Sequence, residues 1–116
     1  MKKSLSSIAM VVLVVCLSVV LSACSKSLPE RIIGYYTGDG RSEITFYDNG
    51  TCMYDHPKFS QPSRGSWTIV DDKVIVKGIF TYDIYADVSN FNDRTLFFQS
   101  ESSRWNDELF TKQSDA

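Results

Sequence analysis

Cys52, Asp55 and His56 are the residues whose types and spacing first invite chemistry in this 116-residue chain. A thiol, a carboxylate and the only histidine within five positions are parts of a metal site or a thiol–base pair. Spacing argues against both. In an extended strand residues 52 and 56 lie roughly 13 Å apart, and zinc bonds are only about 2.0–2.3 Å long. No His/Cys cluster stands nearby to complete a ligand set, so Cys52 reads as a buried strand residue and His56 as a loop histidine. A second set is acidic. Asp83, Asp87 and Asp93 could pair with Asp107 or Glu108 for glycosidic chemistry, which needs separations of about 5 Å or about 6.5–9.5 Å. Nothing fixes such a distance, and solvated strand faces and turns account for these residues. No EF-hand spacing, glycine-rich phosphate loop, dinucleotide fingerprint or Gly-x-Ser-x-Gly elbow occurs. The expectation is a non-catalytic protein with no metal site and no cofactor.

The elements that would position any site are strands. Ile44 and Phe46 share one side of a segment at 43–47, as do Val74 and Val76 within Lys73–Lys77, and Trp67 and Ile69 within 66–70. Phe80, Tyr82, Ile84, Ala86 and Val88 keep a two-residue period over 80–88. Further candidates are 32–37, 51–54, 94–99 and 109–112. Asp48-Asn49-Gly50 and Asp71-Asp72 are hairpin signals, because Asn, Asp and Gly tolerate positive φ. A helix is expected only briefly, around 103–108. This pattern predicts an all-β fold: a small antiparallel up-and-down meander closed into a β-barrel of about eight strands, or a curled sandwich. Closure removes the edge strands that otherwise invite aggregation.

Adjacent aromatic pairs add a surface expectation. Tyr35 beside Tyr36, Phe46 beside Tyr47, Tyr85 between Ile84 and Ala86, and Phe97 beside Phe98 cannot all point inward. Outward tyrosines and arginines suit protein recognition. Tyr36, Tyr47, Arg64, Tyr85, Arg104 and Trp105 are therefore the predicted interaction surface. The alternative is a carrier of a small hydrophobic ligand, with a cavity lined by Phe46, Trp67, Val76, Tyr82 and Phe98.

The first 23 residues differ from the rest. Lys2 and Lys3 precede an apolar stretch from Ile8 to Leu21, and Leu21-Ser22-Ala23-Cys24 closes it. This leader resembles the signal peptide and lipobox of bacterial lipoproteins. The resemblance implies a diacylglyceryl group on the Cys24 thiol, cleavage before that cysteine, and acylation of the new amino group with palmitate-type chains. Several chains together make a durable anchor, which one does not. Ser25 follows the cysteine, where Asp often marks inner-membrane retention in Gram-negative relatives. The implied location is thus the cell envelope, and in a Gram-negative cell the outer membrane facing the periplasm. The expected organisation is a signal peptide over 1–23, a lipidated cysteine and short tether over 24–30, and the barrel over 31–116. Without the leader, Lys2 and Lys3 are lost and the formal charge moves from −2 to near −4, which argues against nucleic acid as a partner. Cys16 leaves with the leader and Cys24 carries lipid, so Cys52 has no intramolecular disulfide partner.

Residues 31–112 carry a further likeness. Gly34-Tyr35-Tyr36, a polar turn and Ile44-Thr45-Phe46 are echoed by Gly65-Ser66-Trp67, a turn and Val74-Ile75-Val76. With Asp48-Asn49-Gly50-Thr51, this resembles the small lipocalin-like lipoproteins of bacterial envelopes. It implies an eight-stranded up-and-down barrel, in some members with a ligand cavity. The segment Gln99 to Trp105 is also distantly similar to a loop of envelope inhibitors of lysozyme, although the glycine and paired cysteines of those proteins are missing here. The implied function is a membrane-anchored protein-binding or inhibitory module whose partner is an envelope or extracellular protein.

Overall fold

The structure is a computed structural model that describes residues 26–115; the leader and Cys24 lie outside the described residues. Its elements are a short helix α1 (Leu28–Ile32) and eight strands: β1 (Gly34–Gly38), β2 (Glu43–Phe46), β3 (Thr51–Asp55), β4 (Ser63–Val70), β5 (Lys73–Lys77), β6 (Ile84–Asp87), β7 (Thr95–Gln99) and β8 (Glu108–Ser114). Each strand pairs antiparallel with its neighbour in sequence, and β8 returns to β1 to close the barrel. The barrel replaces the curled-sandwich alternative. Among the described residues no helix is long and apolar enough to cross a membrane.

Alternation along each strand selects the interior. Tyr36 on β1 lies opposite Ile44, and Ile44 opposite Tyr54. Phe46 lies opposite Cys52, Trp67 opposite Val76, Val76 opposite Ile84, and Ala86 opposite Phe98. All of these are buried. Phe46 sits among three rings, with centroids 5.6 Å from Tyr36, 5.4 Å from Trp67 and 6.2 Å from Phe98. The rings proposed to line a ligand cavity thus pack on one another, as the narrow bore of an eight-stranded barrel favours. Tyr82 is not among them: it lies at one end of the barrel, half-buried and stacked on Phe80.

Two boundaries differ from the sequence expectation. The segment at 80–88 is a strand only over Ile84–Asp87. Gly78 turns the chain at φ 86°, and residues 78–83 then fold across the barrel end. The expected tether also acquires order: α1 covers Leu28–Ile32, with Pro29 in its first turn, where a missing N–H costs nothing. Ile32 is fully buried and its carbonyl accepts the Tyr36 hydroxyl at 2.7 Å, so α1 plugs one end of the barrel. The brief helix expected around 103–108 does not form; bends and a turn precede β8. Both hairpin signals do fold as turns. Asp71 and Asp72 take φ 50° and 59°, giving a two-residue β4–β5 turn without glycine. In the β2–β3 turn only Gly50 has positive φ, and the Asn49 side chain instead accepts the Thr51 N–H at 3.0 Å.

Burial also sets the response to alkali. It raises the Cys52 thiol from 9.0 to about 11 and lifts the Tyr36 and Tyr54 hydroxyls above 10.0. Their unfolded forms therefore lose protons first. The stability gained by keeping them neutral is full below about pH 9 and fades as pH rises toward the folded-state values. The urea midpoint should hold up to about pH 9 and fall steeply toward pH 11. A midpoint level across that range would contradict the burial of these groups.

Candidate functional site

Because successive strands run in opposite directions, the connections at 39–42, 56–62, 78–83 and 100–107 all gather at the end opposite α1. They surround an open depression of about 240 Å³, the barrel mouth.

Its floor is a polar network. Glu108 is only 7% exposed; one carboxylate oxygen accepts the Gly40 N–H at 2.9 Å and the other the Ser42 hydroxyl at 3.1 Å. The Tyr54 hydroxyl donates to Ser42 Oγ at 2.9 Å. A Cβ at Gly38 would overlap the Glu108 carboxylate, so glycine there makes the space that the floor occupies. Burial holds the Tyr54 hydroxyl above its ordinary value, and Ser42 opposes that shift, so Tyr54 stays a donor at neutral pH. Replacing Glu108 with alanine leaves the Gly40 N–H and the Ser42 hydroxyl without their acceptor. The expected cost is about 1–3 kcal/mol in urea unfolding, largely recovered by Glu108→Gln, which keeps an acceptor. An alanine variant as stable as the parent would contradict this reading of the floor.

Aromatic rings form the walls. Phe80 lies 5.1 Å from Tyr54 and 5.6 Å from Trp105, and Phe59 lies 5.6 Å from Tyr54. The Trp105 indole is oriented by its N–H, which donates to the Phe98 carbonyl at 2.9 Å. Phe59, Phe80, Tyr82 and Trp105 are each half-buried, so parts of their faces stay accessible. Lys58 and Arg104 stand exposed at the rim, and His56 Nδ1 accepts the Lys58 N–H at 3.0 Å.

The residues expected to form an interaction surface are dispersed. Tyr36 is a correction: it is fully buried, because it shares its register position with the inward Ile44, and its hydroxyl is used on Ile32. Tyr47 is exposed beside the β2–β3 turn at the plugged end. Arg64 is exposed on the outer wall opposite Met53. Tyr85 is half-buried on that wall, with Lys73 Nζ 5.3 Å from its ring centroid. Only Arg104 and Trp105 meet at the mouth.

Among the chemical candidates, Asp83 and Asp107 lie on connections at the same end as Glu108, and the others are separated. Cys52 is sealed in the interior, whereas His56 lies beyond the end of β3 at the mouth. Asp83 stands 3.8 Å from Lys77. Asp87 and Asp93 lie toward the plugged end, away from Glu108. Asp87 accepts the Ser89 N–H and hydroxyl, and Asp93 accepts Arg31 Nε at 2.6 Å; these bonds hold both carboxyls below their ordinary value. Among the described residues no group of three or more His, Cys, Asp or Glu side chains is placed to hold a metal ion. Glu108 was weighed in the sequence only as a catalytic acid. Its alternation with the inward Phe110, opposite Phe98, was the signal that placed it on the inward row. The chain matches no protein-family model, no curated protein and no solved structure.

Proposed function

We propose that this chain is a lipid-anchored envelope lipoprotein whose barrel is a non-catalytic module that binds a protein partner at its mouth. The observation that carries the reading is the aromatic depression at the end opposite the chain's entry. Residues 26–27 lead into α1 at the plugged end, two positions beyond the lipobox Cys24. Acyl chains on Cys24 would tie that end to the membrane, and the mouth would then face away from it, toward the periplasm in a Gram-negative cell. The packed interior supports surface recognition over carriage of a ligand inside the barrel.

The test is capture from envelope extracts. The full chain should retain a partner that Phe59→Ala and Trp105→Ala variants release, while Val70→Ala, exposed at the plugged end, retains it. Equal retention by all four proteins would remove the mouth from the binding surface.

A further inference from the structure

Of the charged side chains that line the mouth itself, Lys58 and Arg104 are offered to solvent, while the Glu108 carboxylate is turned toward the protein. Arg41, Lys58 and Arg104 come from three different connections and all are exposed. The ion pairs within 4.0 Å among the described residues are Arg31–Asp93, Lys77–Asp83 and Lys112–Asp115; none includes these three cations. Glu43 accepts the Tyr35 hydroxyl at 2.6 Å, Asp55 accepts the His56 N–H at 2.8 Å, and Glu108 is held by Gly40 and Ser42. Of the other acids at this end, Asp39 and Asp107 are exposed, Asp83 stands 3.8 Å from Lys77, and Glu101 accepts the Tyr85 hydroxyl at 3.4 Å on the outer wall. Arg41 is held at φ 70° in the β1–β2 turn, where its N–H donates to the Gly38 carbonyl at 3.3 Å. It lines a second depression with His56 and Phe59, both of which also line the mouth, so Arg41 borders the same surface.

We infer that the mouth receives an acidic peptide segment of its protein partner, one that also carries an aromatic or branched apolar side chain. The inference rests on the mouth being the binding surface proposed above. Carboxylates of the segment meet Arg41, Lys58 and Arg104, and the apolar side chain lies on the exposed faces of Phe59, Phe80 and Trp105. The formal charge is −2 for the full chain and near −4 without Lys2 and Lys3, so the attraction acts at short range through these cations and weakens with salt. Two features favour a peptide over an anionic lipid. The mouth lies at the end opposite the chain's entry, and its floor of Glu108, Ser42 and Tyr54 leaves no passage for an acyl chain into the packed interior.

The experiment uses the full chain in zwitterionic detergent with two fluorescein-labelled probes, Glu-Glu-Trp-Glu-Glu and Lys-Lys-Trp-Lys-Lys, followed by anisotropy. The acidic peptide should bind more tightly and weaken as salt rises. Lys58→Glu and Arg104→Glu should each weaken it about tenfold, while Arg94→Glu, outside the mouth, stays within about twofold. Circular dichroism establishes that each variant is folded. Equal binding of both probes, binding of neither, or an equal loss in Arg94→Glu would overturn the inference. So would phosphatidylglycerol vesicles that displace the acidic probe through the same two cations, which would assign the mouth to anionic lipid. Preference for the lysine probe, abolished by Phe59→Ala, would overturn the acidic chemistry yet keep the mouth as a binding surface; the envelope capture reads that surface independently.

Discussion

Truncation of Phe46 to alanine should cost about 3–5 kcal/mol of folding free energy, measured as a shift in the urea midpoint at constant slope. The ring is fully buried and touches Tyr36, Trp67 and Phe98, which reach it from β1, β4 and β7. Its loss removes apolar burial and leaves a void that paired strands cannot collapse to fill. Domains of this size hold only about 5–15 kcal/mol in total, so the variant sits near the edge of stability. Phe46→Leu retains most of the volume and should lose less than half as much. A loss below about 1 kcal/mol for the alanine variant would mean that the interior is loosely filled. Carriage of a hydrophobic ligand would then regain its basis.

Gly65→Ala should destabilise by about 3 kcal/mol through a different mechanism. Gly65 lies opposite Cys52 on the inward row of β4, and its φ is not positive, so alanine suits the local backbone. The obstacle is space. An added Cβ would overlap the Lys77 carbonyl oxygen and lie 2.7 Å from Ile79 Cδ1. The Lys77 carbonyl belongs to β5 and cannot retreat without disturbing the pairing of Ser66 with Lys77. Gly50→Ala is the informative contrast. Its Cβ would have no neighbour nearer than 4.0 Å, but φ is 82°, so only conformational strain of about 1 kcal/mol is expected. Thermal unfolding of the two variants should rank Gly65→Ala clearly below Gly50→Ala. The reverse order would contradict the close approach of β4 and β5.

Most of the barrel was legible because alternation and turn chemistry agree. Lys73–Lys77 begins and ends where its pattern does, since Asp71 and Asp72 force the reversal just before it. Tyr35 and Tyr36 show the limit of that reading. Two adjacent tyrosines offer no contrast in polarity, so the pairing of Tyr36 with Ile44 decides which turns inward, and Ile32 supplies the acceptor its hydroxyl needs. Phe80 and Tyr82 show another limit. Their two-residue spacing survives in a bend, where the rings stack at 5.1 Å and line the mouth instead of extending β6. Helix α1 spans only five residues, too short to display a helical period, and its order comes from packing Ile32 into the plugged end. The mouth was the least legible feature. Its residues come from separate connections and no local motif joins them; Arg104-Trp105 alone pointed there.

The most direct test of the account is photo-crosslinking in the intact envelope, with benzoylphenylalanine placed in the full chain at Phe59 or at Val70. Phe59 is part of the mouth and Val70 is exposed at the plugged end. A discrete protein adduct is expected from position 59 and none from position 70. Adducts of equal strength at both positions, or at position 70 alone, would contradict a binding surface at the mouth.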